Sequence, residues 1–507
     1  MVAAGILTSR LSGLARSSVV AHFLGNGPVA SVWTAAFRIP NLLQNLFGEG
    51  ALSASFIPVY AGLEARGSRE EARRLAGAVA ALLGLVVTGL VVIGVVATPL
   101  LIDLIAPGFT GDMRELTIRL VRIAFPGTGV LVLSAWCLGV LNSHHRFFLP
   151  YAAPVAWNVA IIAAFFLART DELSRLAEIA MWGAVAGSVL QLAVQLPTVT
   201  RLLGGIRLSL RERSPALATV IRNFLPISLA RGITQVSAYV DTLLATLISA
   251  TAVASLGYAQ LLSTLPVSLF GMSVSAAELP AMAAVQGTDG EIAAQLRARL
   301  DAGLRRIAYF VVPSAVAFIA IGHLLAAVVF QSGRFTADDS VTVWSILAAS
   351  GVGLLAGTLG RLYSSSFYAL RDTRTPVRYA VARVGVGVLL GWLLGLVVPR
   401  ALGIEPRWAT AGLALGASLA AWLEFSLLRR GMNRRIGATG LDATSTARLA
   451  GAALAAAGAA WLLQLALPGL GRLQGLAAAA TFGAVYVMTT LALGVPEART
   501  LLRRSIR

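Results

Sequence analysis

The sequence predicts an all-α polytopic membrane protein of about fourteen transmembrane helices, arranged as two pseudo-symmetric six-helix lobes followed by two C-terminal helices. Three observations carry that expectation. Apolar runs of roughly 20 residues, long enough to cross the hydrocarbon core of a bilayer, recur along the chain; arginines gather in every second loop; and the loop after the fourth run is echoed after the tenth. Composition agrees: the 507 residues are 57% hydrophobic and only 13% charged, too little charge to give a soluble protein of this length a polar surface.

The first run, residues 2–24, is unusual because "TSRLSGLAR" (8–16) carries Arg10 and Arg16 into it. The second, 29–60, is too long for one straight crossing, and Pro40 and Gly48-Glu49-Gly50 are the expected breaks. Runs at 75–105, 115–141, 147–168 and 176–203 complete a first lobe, residues 1–213. A second lobe, 214–435, follows with runs at 217–249, 251–284, 304–331, 341–370, 376–399 and 408–428. Runs at 446–468 and 473–495, with a tail after them, make up the last segment, 436–507. "NSHHRFFLPYAAP" (142–154) and "LRDTRTPVRYAVA" (370–382) both read as basic loop, proline and new helix. "ASVWTAAFRIP" (30–40) similarly resembles "ASLGYAQLLSTLP" (254–266), as two lobes in the same orientation require.

Arginine placement sets the orientation. One set of loops carries Arg66, Arg69, Arg73 and Arg74; Arg146; Arg201, Arg207, Arg211 and Arg213; Arg297, Arg299, Arg305 and Arg306; Arg371, Arg374 and Arg378; and Arg429, Arg430, Arg434 and Arg435. The tail adds Arg499, Arg503, Arg504 and Arg507, whereas the opposite loops hold only Arg114, Arg169, Arg175, Arg334, Arg400, Arg407 and Arg472. By the positive-inside rule the rich set is cytoplasmic, with both termini on that side.

The same distribution argues against nucleic acid as a partner. The +18 charge is split into short clusters between apolar runs, and every one of the basic residues is arginine. A single cysteine, Cys137, excludes a disulfide framework, and His22, His144, His145 and His323 are too few and too dispersed for metal chemistry. No cleavable signal peptide is visible. No clustered acids or histidines suit acid–base or metal catalysis, which argues against a membrane enzyme, and no cofactor is expected.

Candidate functional residues are therefore the ionisable groups at hydrocarbon depth. Arg10 and Arg16 differ by roughly 120° in azimuth and 9 Å in height on a helix, so both can border one broad cavity; the structural alternative pairs Arg10 with Glu49. Arg38, beside Pro40, is either a ligand residue or a partner of Glu49. Arg231 and Asp241 lie close to three turns apart on one helix face. Asp241 is a candidate for coupling to a cation or protons, or else a structural partner of an arginine such as Arg383. Glu278, Glu424, His323 and Cys137 read as structural. Arginines converging on a cavity suit phosphate or pyrophosphate, which the planar guanidinium binds in two-point fashion.

These residues resemble a known family. "SRLSGLAR…FLGNG…AAFRIPNLLQNLFGEGALSASFIPVY" (9–60), "LNSHHRFFLPYAAPVAWN" (141–158) and "YALRDTRTPV" (368–377) are similar to signatures of the MurJ/MviN lipid II flippases of the multidrug/oligosaccharidyl-lipid/polysaccharide exporter (MOP) superfamily. The resemblance implies a V-shaped bundle around a central cationic cavity in the bacterial cytoplasmic membrane. It also implies alternating access that moves undecaprenyl-pyrophosphate-linked peptidoglycan precursor to the outer leaflet, with a groove for the lipid tail in the last two spans. Arg10 and Arg16 match the family's first-span cavity arginines. Lipid II, membrane lipids and cell-wall synthesis proteins are the implied partners. Coupling to sodium, protons or the membrane potential is the implied energy source.

Three positions depart from the family pattern: Ser31 stands where aspartate is usual, and Gln44 and Leu261 where arginine is usual. They raise the alternative of a transport-inactive paralogue that scaffolds cell-wall proteins; another polyprenyl-linked oligosaccharide as cargo is a separate alternative. For topology, reporter fusions at Arg69 and Arg507 are both expected to report cytoplasm; an external signal from either overturns the orientation.

Overall fold

The protein, represented by a computed structural model, is described for residues 2–466 and 471–505, less the side chains of 2–4, 6, 49, 229–237 and 501–505. Helix α1 spans Val2–Leu24. It stops because Gly25 takes a left-handed conformation (φ 64°), with its N–H on the Ala21 carbonyl at 2.8 Å. Pro28 then opens α2 (Pro28–Ala65) at a position where its missing N–H costs nothing. The expected break at Gly48 is present, and a second falls at Phe56. Pro40, by contrast, is buried inside an unbroken stretch from Pro28 to Phe47. A proline lacks one ladder bond, but neighbouring groups in a membrane bundle can absorb that loss.

The chain continues through α3 (Arg69–Ile105), α4 (Gly111–Ser143), α5 (Phe148–Leu167), α6 (Leu173–Leu203) and α7 (Pro215–Ile248). Helix α8 (Ala252–Ala283) is interrupted by a π-helical turn at Val267–Met272. Helices α9 (Asp289–Ala320), α10 (Ala337–Ala369), α11 (Arg374–Leu402), α12 (Pro406–Ile436), α13 (Ala443–Ala466) and α14 (Arg472–Ala492) follow, before a short amphipathic α15 (Pro496–Ser505). Among the described residues 12 helices are long and apolar enough to cross a membrane, so the chain is a multi-pass membrane protein. Helices α1 and α7 are long enough but stand outside that set. Arg10 and Arg16 dilute α1, and α7 offers only the apolar stretch Ala238–Ile248 among described side chains. Exposed Val92, Ile93, Val96, Leu100 and Leu104 give α3 a face suited to lipid.

Packing divides the chain into two units, Met1–Ala254 and Ser255–Arg507. The contact boundary thus lies beyond residue 213, because α7 packs in the first unit: Ser228 Oγ donates to the Leu46 carbonyl at 2.9 Å, and Tyr239 Oη to that of Arg38 at 3.0 Å. The core of this unit joins Phe56 and Tyr60 of α2 to Leu75 and Val79 of α3, Val132 and Cys137 of α4, and Val199 of α6. In the second unit, alanines 452, 453, 456 and 460 of α13 and Phe482 and Tyr486 of α14 pack on Ala308, Tyr309 and Val312 of α9. Tyr486 Oη seals that seam by donating to the Tyr309 carbonyl at 2.6 Å. The last two long helices therefore belong to the second unit rather than forming a separate body.

Each unit also repeats one device. Helices α4 and α10 are both 33 residues long. The positive-φ residues other than glycine among those described are His145 (φ 58°) and Arg371 (φ 60°), just past their ends. The Arg146 N–H reaches the Leu141 carbonyl, and the Asp372 N–H that of Phe367, both at 2.9 Å. Such a left-handed stop ordinarily uses glycine. Its repetition with non-glycine residues gives the sequence echo a geometric counterpart.

In the second unit, Asp372 then starts α11. Its carboxylate accepts from the Arg374 and Thr375 backbone N–H groups, both at 3.0 Å, and from Thr375 Oγ1 at 2.7 Å, while Arg435 closes on it. The Thr375 hydroxyl and N–H, then Arg435, hold its carboxyl down at about 2. A depressed carboxyl pKa stabilises the fold above the ordinary aspartate range, near pH 4, and loses that contribution as pH falls through the folded value. Asp372→Ala is expected to cost about 1 kcal/mol of stability at pH 7. The gap from wild type in detergent melting curves should narrow as pH falls from about 4 toward 2; a constant gap refutes the assignment.

Candidate functional site

The first unit holds most of the charged residues singled out in the sequence. Helix α1 is fixed to α5 at two successive turns. Ser12 Oγ accepts from Asn158 Nδ2 at 2.9 Å, and one turn on, the Arg16 guanidinium lies over the Trp157 ring, its Cζ 4.9 Å from the centroid. Arg16 is half-buried, whereas Arg10, a turn and a half earlier, is exposed. Trp157 is itself fixed: its indole N–H donates to the Ala184 carbonyl of α6 at 3.0 Å. Phe37 of α2 packs edge-on against it, ring centroids 5.8 Å apart.

Arg38 reaches into the seam between α2 and α7. Its Nη1 donates to Thr242 Oγ1 at 2.6 Å and, more weakly, to the Ala238 carbonyl at 3.4 Å. Asp241, beside Thr242, acts on it electrostatically. The alternative partner expected for Asp241, Arg383, is engaged elsewhere, 3.1 Å from Glu424. Arg231 lies in α7, but its side chain is outside the described residues, as is that of Glu49. Glu278 meets Arg306 at 3.2 Å and Arg299 at 3.8 Å, His323 Nε2 lies 3.2 Å from Gln464 Nε2, and Cys137 is buried in the core. Among the described residues no carboxylate meets the Arg16 guanidinium, and a half-buried guanidinium held by its face on a ring can receive an anion at its N–H edge.

Ser31 is fully buried, and its Oγ accepts from the Ala254 backbone N–H at 3.1 Å. Ala254 lies in the first turn of α8, where N–H groups have no partner within the helix. The usual aspartate could serve the same donor and add a charge favoured at a helix N-terminus. The hydroxyl keeps the acceptor and gives up the charge.

Charge in an apolar run was the signal that found Arg16 and Arg38. The neutral groups that seat them, Trp157, Asn158, Thr242 and Tyr239, carry no such signal; "PVAWN" appears in the sequence only as part of a longer motif.

Residues 20–483 match the family model described as lipid II flippase MurJ. A probable lipid II flippase MurJ from Rhizobium tropici is 34% identical over 445 residues, covering 85% of this chain and 80% of its own. The lipid II flippase MurJ of Burkholderia cenocepacia is 31% identical over 435 residues, with 85% and 82% covered. Among solved structures, a lipid II flippase MurJ in an inward closed conformation matches with a TM-score of 0.77 at 21% identity, covering 100% of this chain and 99% of that one. An inward-facing MATE-family multidrug resistance transporter of the MOP superfamily matches at 0.64 with 17% identity, covering 84% and 95%. At these identities the two structures speak for the fold.

The Ser31 contact can be checked directly. Ser31→Ala is expected to lower stability by about 1 kcal/mol, and Ser31→Asp to restore it. Equal melting points for Ser31→Ala and wild type would remove Ser31 as the acceptor for α8.

Proposed function

The chain belongs to the lipid II flippase MurJ family, and on that footing we propose that it moves undecaprenyl-pyrophosphate-linked peptidoglycan precursor from the cytoplasmic to the outer leaflet of the bacterial inner membrane by alternating access. The observation that carries this reading is Arg16, a guanidinium within a helix long enough to cross the bilayer, whose described partner is a ring face rather than an acid. Such a charge is costly in hydrocarbon. Water and a pyrophosphate relieve that cost and use the free donors, each charge-assisted contact contributing about 1.5–3 kcal/mol.

In this reading Arg10, on the same helix, supplies a second contact, and Arg231 of α7 a third. Arg38 serves a different purpose, holding α7 to α2 with Asp241 as counter-charge, so Asp241 shapes the site's electrostatics rather than standing alone as an ion-coupling carboxylate. The arginine-rich loops and both termini face the cytoplasm, where the precursor is loaded. Ser31 retains a helix-terminus acceptor, which weakens the case that departures at Ser31, Gln44 and Leu261 mark an inactive paralogue.

The test is a lipid II leaflet-accessibility assay in cells depleted of other flippase activity. Arg16→Ala should leave the protein abundant and cut flipping by about ten- to a hundred-fold, the equivalent of one lost charge-assisted contact. Arg400→Ala, in a loop assigned to the outer side, should flip near the wild-type rate. Undiminished flipping by abundant Arg16→Ala overturns the reading.

A further inference from the structure

Resting on the proposed role of Arg16, the geometry points to Trp157 as a positioning residue for the substrate's pyrophosphate: it braces the Arg16 guanidinium by its face and leaves the N–H edge free for phosphate oxygens. Arginine carries five N–H donors in the plane of its guanidinium. A carboxylate partner would occupy two of them and cancel the charge. An indole face does neither: attraction between the cation and the ring quadrupole acts perpendicular to that plane. Contact with Trp157 therefore offsets part of the cost of a charge at this depth while keeping Arg16 cationic and its donors available.

The bracing works only if the indole cannot move, and three contacts hold it. Its N–H is bonded to Ala184 at 3.0 Å, and Phe37 packs edge-on against the ring. Its backbone rests on Gly187, one turn beyond Ala184 on α6, where an added Cβ would sit 2.9 Å from the Trp157 oxygen and 3.0 Å from its Cα. Only glycine permits that approach. On the other side, Asn158 grips Ser12, fixing the turn of α1 that precedes Arg16. Adjacent residues of α5 thus set both the backbone and the head group of one arginine.

The test must separate a brace from ordinary packing. Tryptophan carrying one, two or three ring fluorines, introduced at position 157 alone, keeps the shape and the N–H while weakening the ring's negative face. In proteoliposomes, the lipid II concentration for half-maximal flipping should rise stepwise with fluorination. It should rise by about 3- to 30-fold for Trp157→Leu, the range of cation–π contacts from exposed to desolvated sites. In an Arg16→Ala background neither change should have further effect. A flat fluorine series, or equal losses with and without Arg16, overturns the inference even while Arg16→Ala alone is crippling. If Arg16→Ala is harmless, the functional reading itself fails. Trp157→Leu is read only at wild-type abundance and melting point; the fluorinated series decides if that variant does not fold.

Discussion

A guanidinium below the headgroups must be compensated, because hydrocarbon offers it nothing and the charge cannot be shed. The manner of compensation sorts the arginines of this protein. In the second unit, Arg383 faces Glu424, a pair whose charges largely neutralise each other and leave little attraction for an anion. Arg38 in the first unit spends its donors on Thr242 and the Ala238 carbonyl under the field of Asp241, which fastens α7 to α2. Arg16 lies against a ring. Its charge remains unbalanced by any described acid, and that imbalance is what a pyrophosphate could exploit.

Such an arrangement places demands on the helices beneath it. Trp157 can brace α1 only because α5 lies close to α6, and glycine makes that closeness available: a Cβ on Gly183 would fall 2.3 Å from that of Ala164, and one on Gly187 would press on the Trp157 backbone. Without a strong hydrophobic drive between helices in lipid, close backbone packing and interhelical hydrogen bonds supply the association. Small residues in α6 thus act at a distance on the electrostatics of α1, through one rigid indole.

Much of the fold was legible because membrane helices are written in one-dimensional terms. Each run had to be long and apolar, and its ends were marked by Gly25 with Pro28, or by Gly48. Pro40 misled because proline breaks a helix only when nothing else supports it. The packing of α7 with the first unit was hidden for a different reason: it depends on Arg38, Tyr239 and Thr242, some two hundred positions apart, and no local pattern announces such a meeting. At the site, Arg16 stood out as a charge among apolar residues. Trp157 did not, since an aromatic residue in a transmembrane run is ordinarily packing. The left-handed stops at His145 and Arg371 were likewise invisible, because neither residue is glycine.

Counting charges is therefore a poor guide to what the departures at Ser31, Gln44 and Leu261 cost. Aspartate at the position of Ser31 would offer the first turn of α8 an acceptor and a charge, yet an unpaired N–H chiefly requires the acceptor, and the hydroxyl supplies it. The same logic applies to the arginines. A guanidinium locked to a carboxylate adds to the count but offers little to a ligand, whereas one held by its face offers nearly all of its donors. If Gln44 and Leu261 replace charges, as the resemblance implies, each remaining cation must be oriented the more firmly. A rigid brace on Arg16 is what such a reduced set requires, and the indole pinned between Ala184, Gly187 and Phe37 has the geometry to provide it.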